Sequence, residues 1–169
     1  MSEPVQFGDR ALEAAVRLEL GAPDGVIGCD RMLEITGLDL VRHPEVSNLE
    51  ALRHCANLTI LSLQGTQVSD LSPLSRLGRL ETLSVNGTRV LDLSALAGMG
   101  NLRRLYVGGT RVTDVSPLVT MTGLKYISLA YSPVSDIQAL IDLCTGGGLK
   151  KGEVNLWGTP QGLRTRLAY

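Results

Sequence analysis

Leu58-Thr59-Ile60-Leu61-Ser62-Leu63-Gln64-Gly65-Thr66-Gln67-Val68-Ser69-Asp70-Leu71 decides the fold, because the same pattern begins again at Leu80, Leu102 and Leu124. The starts 58, 80, 102 and 124 are 22 residues apart, and the shared pattern reads LxxLxLxxTxVxDL, with Ser132 in the threonine's place in the last copy. Chance does not produce four such registers. In LxL the two leucines point to one side and the residues around them to the other, the period-2 mark of a half-buried strand. One strand of this kind cannot bury its apolar face alone, so neighbouring copies must stack and share a core.

Two weaker copies flank the four. Upstream, Ile35, Leu38, Leu40, His43, Val46, Asn48, Leu49 and Leu52 fit the pattern with one extra residue after His43. Downstream, Val154, Leu156 and Thr159 restore it, but Thr159 follows Ser132 by 27 residues (159 − 132). The surplus lies near Thr145-Gly146-Gly147-Gly148 and reads as a glycine loop bulging from the last full repeat. The expected architecture is an α/β solenoid of six rungs with strands about 4.8 Å apart. Its 169 residues suit one domain. The divisions are a helical cap at 1–34, a degenerate repeat at 35–57, and full repeats at 58–79, 80–101, 102–123 and 124–148. A terminal strand and cap fill 149–169.

Single columns of the repeat carry their own chemistry. The hydroxyls of Thr66, Thr88, Thr110, Ser132 and Thr159 stand in the turn after each strand, where they can satisfy backbone groups the turn would leave unpaired. Asp70, Asp92, Asp114 and Asp136 precede a short apolar turn, and Asp-Leu-Ser-Pro (Pro73, Pro117) reads as an N-cap followed by early proline. A calcium ladder is the competing reading of that column. It lacks the second acidic residue per repeat that six or more oxygen ligands would require.

Both ends of a stack need covering. Residues 9–20 read as an amphipathic helix capped by Asp9, with Leu12, Ala15, Val16 and Leu20 on one face and Gly21 at its end. Phe7 folds back onto that face in this reading, and a short turn from Asp30 brings Met32 and Leu33 toward the first strand. Leu163 and Leu167 within 161–169 suggest a small closing helix.

At this point the chain resembles a known group. Phe7 to Leu20, then Gly21-Ala22-Pro23-Asp24-Gly25-Val26-Ile27 and Ile35-Thr36-Gly37-Leu38-Asp39-Leu40, is similar to the helical N-cap of internalin-like bacterial leucine-rich-repeat proteins. The 22-residue repeat with Asp-Leu-Ser-Pro-Leu is similar to that group's repeat. The resemblance implies a right-handed horseshoe with parallel strands on the concave face and short 3₁₀ turns on the convex face. It also implies partner binding, usually of protein, inside the curve. Thr stands where many relatives have Asn, and no export signal, immunoglobulin-like module or wall anchor is visible, so host-cell adhesion is not carried over.

Three outward columns follow from the register. One is Gly37, Ile60, Thr82, Arg104, Tyr126 and Glu153; the middle one is Asp39, Ser62, Ser84, Tyr106, Ser128 and Asn155. The third is Val41, Gln64, Asn86, Gly108, Ala130 and Trp157. Most are small and polar. Arg104, Tyr106, Tyr126, Asn155 and Trp157 are the exception, with Tyr131 beside them, and these six are the expected partner-binding residues. Tyr, Trp and Arg dominate interface hot spots, and aromatics are only 4% of this chain. The competing reading is that Trp157 or a tyrosine packs under the glycine loop as a structural cap.

Chemistry beyond binding finds little support. His54 adjoins Cys55, but Cys55 takes the core position held by Leu77 and Met99, so a nucleophile pair is not expected. Gly146-Gly147-Gly148-Leu149-Lys150-Lys151-Gly152 lacks the spacing of a phosphate-binding loop. Cys29, Cys55 and Cys144 are scattered and read as reduced apolar residues rather than disulfide or zinc partners. A net charge of −1 and a pI near 6.1 provide no global field for nucleic acid or anionic lipid. Met1-Ser2-Glu3-Pro4 does not open a signal peptide, so a cytoplasmic location is expected, and caps over the free edges make a monomer the expected state. The expectation is therefore a protein-interaction module without catalysis, cofactor or metal. An inhibitor or immunity-type protein that blocks a toxin or enzyme is one alternative. Carbohydrate or peptidoglycan binding through exposed aromatics is the other.

Overall fold

In the computed structural model, residues 2–149 and 153–160 are described. Six three-residue strands form one parallel sheet in chain order: β1 (Gly37–Asp39), β2 (Ile60–Ser62), β3 (Thr82–Ser84), β4 (Arg104–Tyr106), β5 (Tyr126–Ser128) and β6 (Glu153–Asn155). Leu38, Leu61, Leu83, Leu105, Ile127 and Val154 pair in register down the middle of the sheet, and all are buried. Their neighbours on either side point out. The copies thus pair position by position, as the 22-residue spacing predicts.

Strands β2 to β6 leave the sheet through a turn in the left-handed region. Gly65, Gly87, Gly109 and Gly158 take φ between 65° and 76° there, a conformation that costs glycine almost nothing. The next column is the buried hydroxyl. Thr66, Thr88, Thr110 and Thr159 each donate to the carbonyl three residues back at 2.7–2.8 Å. Ser132 departs from this: its shorter side chain donates across the rung to the Val107 carbonyl at 2.9 Å.

On the opposite side the chain returns through 3₁₀ turns at Glu50–His54, Ser72–Leu74, Ser94–Leu96 and Ser116–Thr120. The aspartate column acts one residue earlier than the expected N-cap, since Leu71, Leu93 and Val115 occupy the cap position. Asp70, Asp92 and Asp114 instead each accept the backbone N–H and the hydroxyl of the serine two residues on, at 2.7–2.9 Å. This closes an Asx turn that holds the first helical N–H.

The last full repeat corrects a second expectation. Its surplus residues do not bulge out as a glycine loop; they extend the 3₁₀ turn into an α-helix, α3 (Gln138–Thr145). Leu140 and Leu143 face the core, Gly146 caps the end, and Gly148 is buried against the Leu143 side chain. The proposed loop lysines, Lys150 and Lys151, and the closing helix at 161–169 lie outside the described residues.

The N-terminal end is covered by α1 (Arg10–Glu19) and a single turn, α2 (Cys29–Met32). Asp9 caps α1 by accepting from the Ala11 and Leu12 amides at 3.0 and 3.1 Å. Its other oxygen accepts the amides of Ser47 and Asn48 in the first repeat, at 2.8 and 3.1 Å. One carboxylate therefore caps the helix and fastens it to the solenoid. Leu12, Ala15 and Val16 complete the seal, and Phe7 packs at its edge.

Candidate functional site

The strand register places the expected site residues. Arg104 and Tyr126 are partners in one outward column, and Tyr106 lies in the next, opposite Ser128. The Tyr106 and Tyr126 rings touch, with centroids 5.2 Å apart and planes tilted by 43°. Both are half-buried, and Ser128 beside them is buried although it faces out. This is the one region of the described outward face where large side chains cover a strand residue.

A second aromatic pair stands at the edge where the strands turn. Tyr131 and Trp157 have centroids 5.9 Å apart and a tilt of 38°, and they remain 64% and 56% exposed. Such exposure does not fit a tryptophan sealed into the core. The six expected residues thus separate into two clusters, one on the sheet face and one at its edge. Asn155 has a different role from a free contact: its Oδ1 accepts the Trp157 amide at 3.0 Å and fixes the turn that presents the ring.

Tyr131 carries a signal that the sequence contained but that the reading of the columns passed over. It aligns with Gly65, Gly87, Gly109 and Gly158, and it adopts φ 59° as they do. A side-chain residue in this region is strained by about 1–2 kcal/mol. The Tyr131 ring lies directly over Gly158, where an added Cβ would come within 2.5 Å of it. The edge pair therefore needs glycine at 158 and tolerates strain at 131.

Asn86 is another residue missed from sequence. Its Oδ1 accepts the Gly108 amide of the next rung at 2.7 Å, tying the third outward column together just before the aromatic region.

Elsewhere the reactive groups are occupied or buried. Cys55 is fully buried, and burial pushes its thiol up to about 12, so a thiolate is not available to a Cys55–His54 pair. His54 instead accepts from the Arg53 Nε at 3.2 Å. A shallow cleft beside α3 is lined by Val119 and Ala139 with Asp114, Asp136 and Asp142 at its rim. Those carboxylates accept hydrogen bonds from Ser116, Gln138 and the Gln138 side chain respectively.

With the geometry in place, the comparisons agree on its type. A family model described as Leucine Rich repeats (2 copies) matches residues 56–98. An internalin from Listeria monocytogenes (inlF) superimposes with a TM-score of 0.70 at 28% identity, over 85% of this chain and 50% of its own. The chain thus carries leucine-rich repeats at 56–98 and is similar in fold to the internalins. Internalin C2 (inlC2) from the same organism shares the fold with a TM-score of 0.69 at 24% identity, over 94% of this chain and 80% of its own. The chain therefore spans about half the length of the first of these internalins. Among the curated proteins no relative matches it. No helix among the described residues is long and apolar enough to cross a membrane.

Proposed function

We propose that this chain is a non-catalytic module that binds a protein partner on the concave face of the sheet, mainly through its C-terminal half. The observation that carries this reading is the gathering of Tyr106, Tyr126, Tyr131 and Trp157 into two tilted ring pairs on β4–β6 and their turns. Rings already paired lose little conformational freedom on binding, which is why aromatic anchors concentrate interface energy. Arg104 adds an exposed, directional donor beside Tyr126. On β1–β3 the outward residues are small or polar apart from Ile60, so the other half of the face has no aromatic anchor.

Capture from the source organism's lysate, comparing the intact chain with a folded Tyr106→Ala, Tyr126→Ala, Trp157→Ala variant, tests this. A protein held only by the intact chain supports the face; equal capture by both removes it and moves attention to the 3₁₀ side. The exposed Tyr131–Trp157 pair also favours a second reading, stacking on a sugar ring. A glycan array that stays blank with the intact chain would dispose of that alternative.

A further inference from the structure

Resting on that reading, we infer that the partner presents an acidic surface, with carboxylates grouped around an apolar anchor. Four exposed cations, Arg89, Arg104, Arg111 and Lys125, stand without an ion-pair partner among the described residues. Nor does any of their side chains donate to a neighbouring group, whereas Arg17 and Arg79 do.

The fold brings these cations to one place. Arg104 stands in the outward column beside Tyr126. The Arg89 amide donates to Val68 and the Arg111 amide to Val90, so the two arginines occupy one column on consecutive rungs. They lie on the same edge as Tyr131, in the turns that follow the strands. Their backbones are about 4.8 Å apart along the ladder, so the two like charges repel and favour an anion between them. Lys125 precedes β5 on the opposite edge. The aromatic clusters are thus flanked by positive charge on both sides.

The balancing carboxylates have been placed elsewhere. Asp70, Asp92 and Asp114 lie beyond the buried valines Val68, Val90 and Val112, held by their serines in the 3₁₀ turns. Across the outward and edge positions of β3–β6 the carboxylates are Glu81 and Glu153, the latter in register with Tyr126 on the next rung. The whole chain has a net charge of −1, so its positive charge is segregated rather than in excess. A uniformly anionic polymer such as RNA would meet that negative total and the aspartate row. A compact acidic patch on a protein meets only the basic strip. Arginine's planar fork suits carboxylates in particular, and such complementarity speeds association and rejects wrong partners.

A displayed library of random short peptides tests this. It is selected in parallel on the immobilised full chain, on Tyr106→Ala/Tyr126→Ala, and on Arg89→Glu/Arg104→Glu/Arg111→Glu. The intact chain should enrich peptides with Asp or Glu beside an aromatic or leucine. Each single Arg→Glu change should weaken a synthetic copy about tenfold, and lysine-substituted copies should regain binding on the triple Glu variant. Peptides without acidic bias, or affinities indifferent to the Arg→Glu changes, overturn the inference while the aromatic face stands. Selection no better on the intact chain than on the tyrosine variant sinks the face and the inference together. Tighter binding of a labelled oligouridylate than of any peptide, or a salt-sensitive dimer by light scattering, would assign the strip to nucleic acid or to a second copy instead.

Discussion

Tyr131 shows how much one residue can say. Its backbone sits where four equivalent positions hold glycine, and its ring is kept on Trp157. The strain and the ring contact can be separated experimentally, because glycine and alanine both remove the ring but only glycine accepts the dihedral freely. Tyr131→Gly should therefore melt about 2–4 °C above Tyr131→Ala, corresponding to about 1 kcal/mol. Differential scanning calorimetry on the two variants checks this. The reverse order would mean that the turn at 131 relaxes out of the left-handed region once the ring is gone. A strained residue with an exposed ring is the kind of outlier from which function is properly inferred.

At the scale of elements, the cap helix is the informative case. Partial burial of the Asp9 carboxyl raises its proton affinity, but the amides of Ser47, Leu12, Asn48 and Ala11 outweigh this and hold it below the ordinary 3.8. A carboxyl depressed in the folded state stabilises the fold above its unfolded value and loses that contribution as pH falls through the folded one. Asp9→Ala should cost about 1–2 kcal/mol at neutral pH, the range for losing an N-cap. The gap between the two proteins should narrow as the pH drops below 3.8. Urea unfolding midpoints across that window measure it, and a gap that stays constant into acid would show that the carboxylate's charge is not what fastens α1. The helix pattern at 9–20 was legible from sequence. The bond to Ser47 was not, because nothing in a helical period points to a donor 38 residues away.

The whole molecule behaves as a stack in which each rung contacts only its neighbours. Its stability should then be a sum of rung and interface contributions, and damage should spread along the stack. Leu105 lies fully buried at the middle of β4, paired with Leu83 and Ile127. Leu105→Ala should cost about 2–5 kcal/mol through the cavity it leaves. Amide exchange should accelerate first in β3 and β5, with β1 protected longest. Uniform acceleration from β1 to β6 would show that the rungs unfold as one cooperative unit, against nearest-neighbour coupling.

By itself the sequence determined the rung count, the strand register, the buried leucine column and the three outward columns. Every rung repeats the same short-range contacts, so a period read once holds wherever a neighbouring copy enforces it. Of the six expected site residues, Arg104, Tyr106, Tyr126 and Asn155 stand in the strand register that the columns give them. Tertiary structure decided what happens where the repeat is broken or ends. Leu140 and Leu143 found core space for a helix, so the surplus was taken up by α3, with 146–148 as the tight turn behind it rather than an outward bulge. The aspartates settled into Asx turns because the following serine offers both an amide and a hydroxyl within reach. The division of the aromatics into two tilted pairs depended on the left-handed turn at Tyr131 and the bare backbone at Gly158. The Asx turns are local to each copy, but the ring pairs and the packing of α3 rest on contacts across rungs that no single copy of the repeat encodes.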